Sequence, residues 1–289
     1  MLAIQLAITG LQTGALYALT AVGFSLIFGS TRIFHFAHGA TFVVAAYLFY
    51  AVFNAGWGVA PGILAAAIGA VVFGLALDRL VYVPIQRHEG SFFTVFVASF
   101  GVGIAVQNII GMVFGRGFVT VNTSLSRSVE MFDNIYVSPL AWIAILCAVV
   151  FLGGLQFVLL KTHVGMSLRA LSDNPELVRT FGLDPRRIEA MAFAIGSLLV
   201  VPAAIITSAT TGLNPSVGHH VMLISLAATI VGGIGSIPGT VLAGVLLGLA
   251  ESMALLVVDS QWTEAVTFAI LFAFIIIRPS GLLGRTIAH

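Results

Sequence analysis

The sequence predicts an all-α fold: a polytopic integral membrane helical bundle of about nine transmembrane segments, within a range of eight to ten, with broken helices among them. Three observations carry this expectation. Hydrophobic residues make up 59% of the 289 residues and Asp, Glu, Lys and Arg only 8%, against about 25% charged in a soluble domain. The few charges are bunched: none occurs in 1–30, 33–77, 90–115 or 191–250. The 31 glycines and 9 prolines fall partly inside the apolar runs, where soluble helices avoid them and membrane helices do not.

The apolar runs cover roughly 3–28, 33–53, 58–77, 91–114, 137–160, 191–211, 217–234, 238–257 and 262–277, each near the length that crosses a bilayer. The first has no basic n-region and is too long for an h-region, so it reads as a span and not as a signal peptide. It contains Gly10 and Gly14 four apart, and the eighth contains Gly244 and Gly248 at the same spacing. Small residues so placed let two helix backbones approach where lipid supplies no hydrophobic drive. The second run carries His35, His38 and Gly39 at its start; the histidines lack a third partner for a metal and read as packing or gate residues. Gly232, Gly233, Gly235, Ser236, Pro238 and Gly239 separate the seventh run from the eighth, a composition that breaks a helix into a tight hairpin. Glu251 is an acid inside the eighth run, so it must face the bundle interior, be protonated or be paired. Cys147 sits in an apolar run as a small buried hydrophobe.

Basic residues set the orientation. Lys161, Arg169, Arg179, Arg186 and Arg187 lie in the loop 161–189, which is therefore placed in the cytoplasm. Counting spans outward adds Arg32, Arg79, Arg87, Arg278 and Arg285 to that side and leaves Arg116 and Arg127 outside. With nine spans the N-terminus is external and the C-terminus cytoplasmic. Trp57, Trp142 and Trp262 then lie near the outer edge, as an aromatic belt requires.

The loop 161–189 is polar but not written as a flexible linker. Asn174, Pro175 and Glu176 spell an N-cap, a first-turn proline and a first-turn acid. Leu177 to Phe181 continue a helix of about two turns, and Gly182 ends it. Asp184 and Pro185 repeat the start signal for the helix that enters the membrane. So short a helix needs a surface to pack on, either the membrane segments or a cytoplasmic partner.

Several longer stretches resemble the permeases of branched-chain amino acid ABC transporters, on the LivH-like side of the permease pair. Gly14 to Gly29 resembles that family's opening helix, and Phe36-Ala37-His38-Gly39 its Asn-Phe-Ala-His-Gly stretch, here with His35 in the asparagine position. Arg169-Ala170 with Asn174-Pro175-Glu176 and Gly182 resembles the loop that contacts the ATPase. Gly232 to Gly239 with Glu251-Ser252, and Arg278-Pro279 to Gly284, resemble its later signatures. The resemblance implies one permease domain over 1–289, in the inner (plasma) membrane. Its implied partners are a second homologous permease, two cytoplasmic ATP-binding subunits, a periplasmic or extracellular solute-binding protein and membrane lipid. Arg169, Asn174, Pro175, Glu176, Leu177, Arg179 and Gly182 would couple to the ATPase. His35, His38, Gly39, the 232–239 block and Glu251 would line the path or gate. No Walker Gly-x-x-x-x-Gly-Lys-Ser/Thr sequence is present, so this chain is not expected to hydrolyse ATP. No cofactor, metal or nucleic-acid partner is expected. The cargo is expected to be a branched-chain or related amino acid. A urea, amide or aromatic-acid importer, or an ion-coupled secondary transporter, stays open as an alternative.

Overall fold

The computed structural model describes residues 2–88, 90–132 and 135–284. Helix α1 (Leu2–Thr31) is followed by α2 (His38–Val52), α3 (Val59–Leu77), the short α4 (Val83–Arg87) and α5 (Phe92–Phe114). A two-stranded antiparallel hairpin, β1 (Val129–Phe132) and β2 (Ile135–Val137), precedes α6 (Pro139–Lys161). Then come α7 (His163–Asp173), α8 (Pro175–Thr180), α9 (Pro185–Thr210), α10 (Val217–Gly232), α11 (Ile237–Ala254) and α12 (Thr263–Ile277). Single π-helical turns extend α2 over Phe53–Trp57 and join α3 to α4 over Asp78–Tyr82.

Eight helical stretches are long and apolar enough to cross a bilayer, and α10 is a shorter ninth. The expected nine segments therefore correspond to nine described helices. Their edges move inward: the seventh stops at Gly232 and the eighth at Ala254. The small hairpin in the external loop, invisible to hydrophobic periodicity, is an addition to the all-α expectation.

Helix α1 is the centre of the bundle. It runs antiparallel to α11 at a separation only small residues permit. A Cβ on Gly14 would lie 2.7 Å from the Cα of Val245, and one on Gly244 would lie 2.7 Å from the Cα of Ala18. The glycine pairs of the sequence thus mark one interface. Thr240 Oγ1 donates to Ser25 Oγ at 3.3 Å and Thr229 Oγ1 to the carbonyl of Ala21 at 3.4 Å, tying α11 and α10 to α1. Peripheral helices show the opposite face: Met112, Val149 and Ile276 are 83%, 65% and 80% exposed. Apolar side chains so placed meet lipid, and helices with internally satisfied backbones are what lipid tolerates.

Two ends of the bundle are distinct. At one, Arg32 Nη2 donates to the carbonyl of Ser172 at 3.3 Å, bringing the end of α1 to the end of α7. The α10–α11 turn lies at the same end, since Gly29 faces Gly235. At the other, Gln5 Nε2 reaches the carbonyl of Tyr136 at 3.5 Å, and Val119 and Leu213 exchange backbone hydrogen bonds at 2.9 and 2.7 Å. Alternating spans put nearly all the described basic residues at the first end, which the positive-inside rule makes cytoplasmic. Arg285 lies outside the described residues.

Candidate functional site: an external cavity and a cytoplasmic helical shoulder

A cavity of about 610 Å³ opens between α1, the β-hairpin region and the adjoining ends of α6, α9, α10 and α11. Its size falls in the range of about 300–1,000 Å³ typical of small-molecule sites. Helix α1 supplies a polar stripe of Thr9, Gln12, Thr13 and Thr20, with Thr207 and Thr210 of α9 across from it. Leu16, Phe42, Val217 and Val221 form an apolar wall. Glu251 lines the same space. It is not set deep in α11, as the sequence suggested, but within one turn of the helix end at Ala254.

The Glu251 carboxylate is held. Tyr17 Oη donates to its Oε2 at 2.8 Å. Tyr17 Oη also stands 3.3 Å from His220 Nε2, and His220 Nδ1 stands 3.0 Å from Glu264 Oε1. The chain of contacts crosses four helices: α11, α1, α10 and α12. Sequence reasoning singled out Glu251 but missed Tyr17, His220 and Glu264 as its partners. They are 234, 31 and 13 positions away in the sequence, and only the fold joins them. A polar tip on Tyr17 inside an uncharged span was the one available signal.

His35 and His38 do not line this cavity. Both are fully buried. The sequence puts both at the start of the second apolar run; instead α2 starts at His38, and His35 belongs to the short segment before it. The cause is local. Arg32 takes a left-handed φ of 57°, which ends α1 sharply, and the Ser99 hydroxyl accepts from the Phe36 amide at 3.1 Å and shares its own proton between the carbonyls of Phe96 at 2.9 Å and Phe34 at 3.2 Å. His38 Nε2 donates to the Thr20 carbonyl at 2.9 Å, and His35 Nδ1 contacts Tyr82 Oη at 2.7 Å. A Cβ on Gly23 would lie 2.6 Å from the Gly196 carbonyl oxygen and 3.2 Å from the His38 ring, so glycine lets α1 and α9 meet closely beside the imidazole. Gly39 packs on the Gly218 carbonyl. Among the described residues no group of His, Cys, Asp or Glu has metal-site geometry.

The glycine block forms the hairpin its composition predicts. Gly233 and Gly235 have φ of 99° and 84°. Ser236 caps α11 by accepting from the Gly239 amide at 3.2 Å, and Pro238 occupies the first turn. The C-terminal segment docks on it: the amides of Leu282 and Leu283 donate to the carbonyls of Val231 and Gly232 at 2.8 and 3.0 Å. Two separate sequence signatures are therefore one packed unit at the cytoplasmic end. Residues 232–239 are not part of the external cavity wall.

The cytoplasmic loop holds two helices, not one. Asn174 Oδ1 accepts from the amides of Glu176 and Leu177, each at 3.0 Å, and starts α8 as expected. Gly182 has φ 77° and closes it. Asp184 Oδ1 accepts from the Arg186 amide at 3.0 Å and starts α9. The additional helix, α7, is capped by Thr162 and buries Gly165, Leu168 and Leu171. That apolar spacing is the pattern of a helix with one buried face, and it was legible but unread. Val178 anchors α8 at 2% exposure, while Leu177 and Phe181 stand 54% and 77% exposed. Arg169 and Arg179 are exposed beside them.

A family model described as "Branched-chain amino acid transport system / permease component" matches residues 6–275. The chain belongs to this family. The permease is 26% identical over 296 residues to the high-affinity branched-chain amino acid transport system permease protein LivH of Escherichia coli K12, covering 98% of this chain and 96% of that protein. It is equally similar, with the same coverage, to the permease protein BraD of Pseudomonas aeruginosa. A probable LivH of Methanocaldococcus jannaschii is 25% identical over 93% of this chain and 89% of its own length. A solved structure, PsaBC from Streptococcus pneumoniae in complex with Fab, matches at a TM-score of 0.49 and 13% identity over 96% of this chain and 91% of that one, a likeness too slight to bear on the fold. The permease is thus a multi-pass membrane protein and a transport component of an importer, not an enzyme.

Proposed function

We propose that this permease is one of two homologous transmembrane subunits of an ATP-driven importer in the inner (plasma) membrane, and that its cargo is a branched-chain or related amino acid. ATP would be hydrolysed by two cytoplasmic partner subunits, and cargo delivered from outside by a solute-binding protein. The relatives named for branched-chain amino acid transport support the cargo class. The observation that carries the coupling part is α8. It is a short helix with both termini fixed by caps and one residue anchored in the bundle, yet it presents Leu177 and Phe181 to solvent. Exposed apolar side chains on a rigid shoulder that also carries Arg169 and Arg179 make a docking knob, and its seat on α9 and on α7, which itself packs on α1, would pass a push into the bundle. His35, His38 and the 232–239 hairpin are proposed as the packed cytoplasmic side of the gate, and the external cavity with Glu251 as the entry of the path.

The test is reconstitution of the permease with its partner subunits in proteoliposomes. Leucine uptake should require ATP and the binding protein, and a cysteine at Leu177 should crosslink to the ATP-binding subunit. Crosslinking to every subunit but that one would overturn the coupling role of α8.

A further inference from the structure

We propose that the inner wall of the external cavity is a binding site for a primary ammonium group, with Glu251 as its acceptor. This rests on the reading of the cavity as the cargo's entry. Hydrogen-bond accounting leads to it. Tyr17 has a single hydroxyl proton, and the short contact of 2.8 Å gives it to the Glu251 carboxylate. The Tyr17 oxygen can then only accept from His220 Nε2 at 3.3 Å. Glu264, a carboxylate 3.0 Å from His220 Nδ1, also only accepts. The cluster sets two carboxylates, Glu251 and Glu264, against a single imidazole, so at least one negative charge is in excess whichever nitrogens of His220 carry hydrogen.

That excess falls on Glu251. Glu264 has His220 beside it, whereas Glu251 meets that imidazole only through Tyr17. Among the described residues the cavity wall contains no lysine or arginine to answer the Glu251 charge. A carboxylate at the edge of hydrocarbon is costly without a cationic partner. The tyrosine uses only part of its acceptor capacity and leaves lone pairs for an arriving donor. The apolar wall of Leu16, Phe42, Val217 and Val221 shares the cavity, and the threonines of α1 and α9 offer neutral partners for a cargo's own carboxylate. The site suits an apolar body carrying an ammonium. It repels a solute whose charge is only negative, which argues against an aromatic-acid cargo.

Tyr17 is a positioning residue, since its hydroxyl aims the carboxylate. Two probes of nearly equal shape test the site directly on the purified complex without the binding protein: 3-methylbutylamine and 4-methylpentanoate, followed by saturation-transfer NMR. The amine should show transfer and the acid little. Glu251→Gln should reduce amine binding about tenfold or more, as loss of a charge-assisted hydrogen bond does, and Tyr17→Phe should weaken it severalfold. Equal transfer from amine and acid in the unaltered complex would overturn the proposal, and this comparison depends on no variant folding. So would undiminished amine binding by Glu251→Gln. Amine binding without any ATP-driven leucine uptake would sink the importer reading and leave the site standing. Leucine uptake without amine binding would do the reverse.

Discussion

Replacing Asn174 by alanine removes the acceptor of two hydrogen bonds, from the amides of Glu176 and Leu177, both at 3.0 Å. Loss of an N-cap of this kind costs about 1 kcal/mol. In a long packed helix that would be absorbed, but α8 spans only Pro175–Thr180, below the roughly 12–15 residues at which an isolated helix becomes marginal. Its hold on the bundle is Val178, its one buried residue. About 1 kcal/mol therefore translates into about a fivefold loss in the ratio of ordered to disordered shoulder. With the permease reconstituted beside its partner subunits, Asn174→Ala should lower cargo-stimulated ATP hydrolysis severalfold at unchanged complex yield. Asn174→Asp, which caps equally well, should restore it. Stimulated hydrolysis equal to the unaltered protein in Asn174→Ala, with Leu177 still crosslinking normally, would refute the argument that α8 must be pre-ordered to couple.

Other expectations follow from the same geometry. Gly14→Leu should lower the melting temperature of the purified complex, because any Cβ there meets the α11 backbone at 2.7 Å, whereas Gly101→Leu, with open space around it, should melt as the unaltered protein does. Gly233→Ala should impair uptake and loosen the C-terminal segment, which limited proteolysis would detect. Its φ of 99° disfavours any side chain, and a Cβ would lie 2.6 Å from the Cα of Gly284. Arg179→Glu should weaken ATPase association in pull-downs without altering membrane insertion, since the side chain is exposed on the shoulder.

Local rules carried much of this structure. The caps at Asn174 and Asp184, the glycine end at Gly182 and the hairpin at 232–239 are all decided by residues within a few positions of one another, so they were legible. The glycine pairs at 10/14 and 244/248 were legible as close-packing surfaces, though not as each other's partners. The start of α2 was misplaced because it is set by Ser99, which lies more than sixty positions away and binds the backbone at Phe34 and Phe36. Helix α7 was overlooked because its apolar positions, Leu168 and Leu171, sit among polar residues in a loop read for its caps. Of the cavity only Glu251 was legible. Its wall is assembled from threonines and glutamines that are unremarkable in their own helices, and the Glu251–Tyr17–His220–Glu264 contacts exist only once α1, α10, α11 and α12 are packed.

The claim that cargo enters through the external cavity is tested most directly by blocking it. Thr13 lines the cavity from α1, and Cys147 is the chain's single cysteine. In a Cys147→Ala background, Thr13→Cys should react with a bulky, membrane-impermeant thiol reagent added from outside, and ATP-driven leucine uptake should then stop. Full labelling at Thr13→Cys with uptake unchanged would contradict the account.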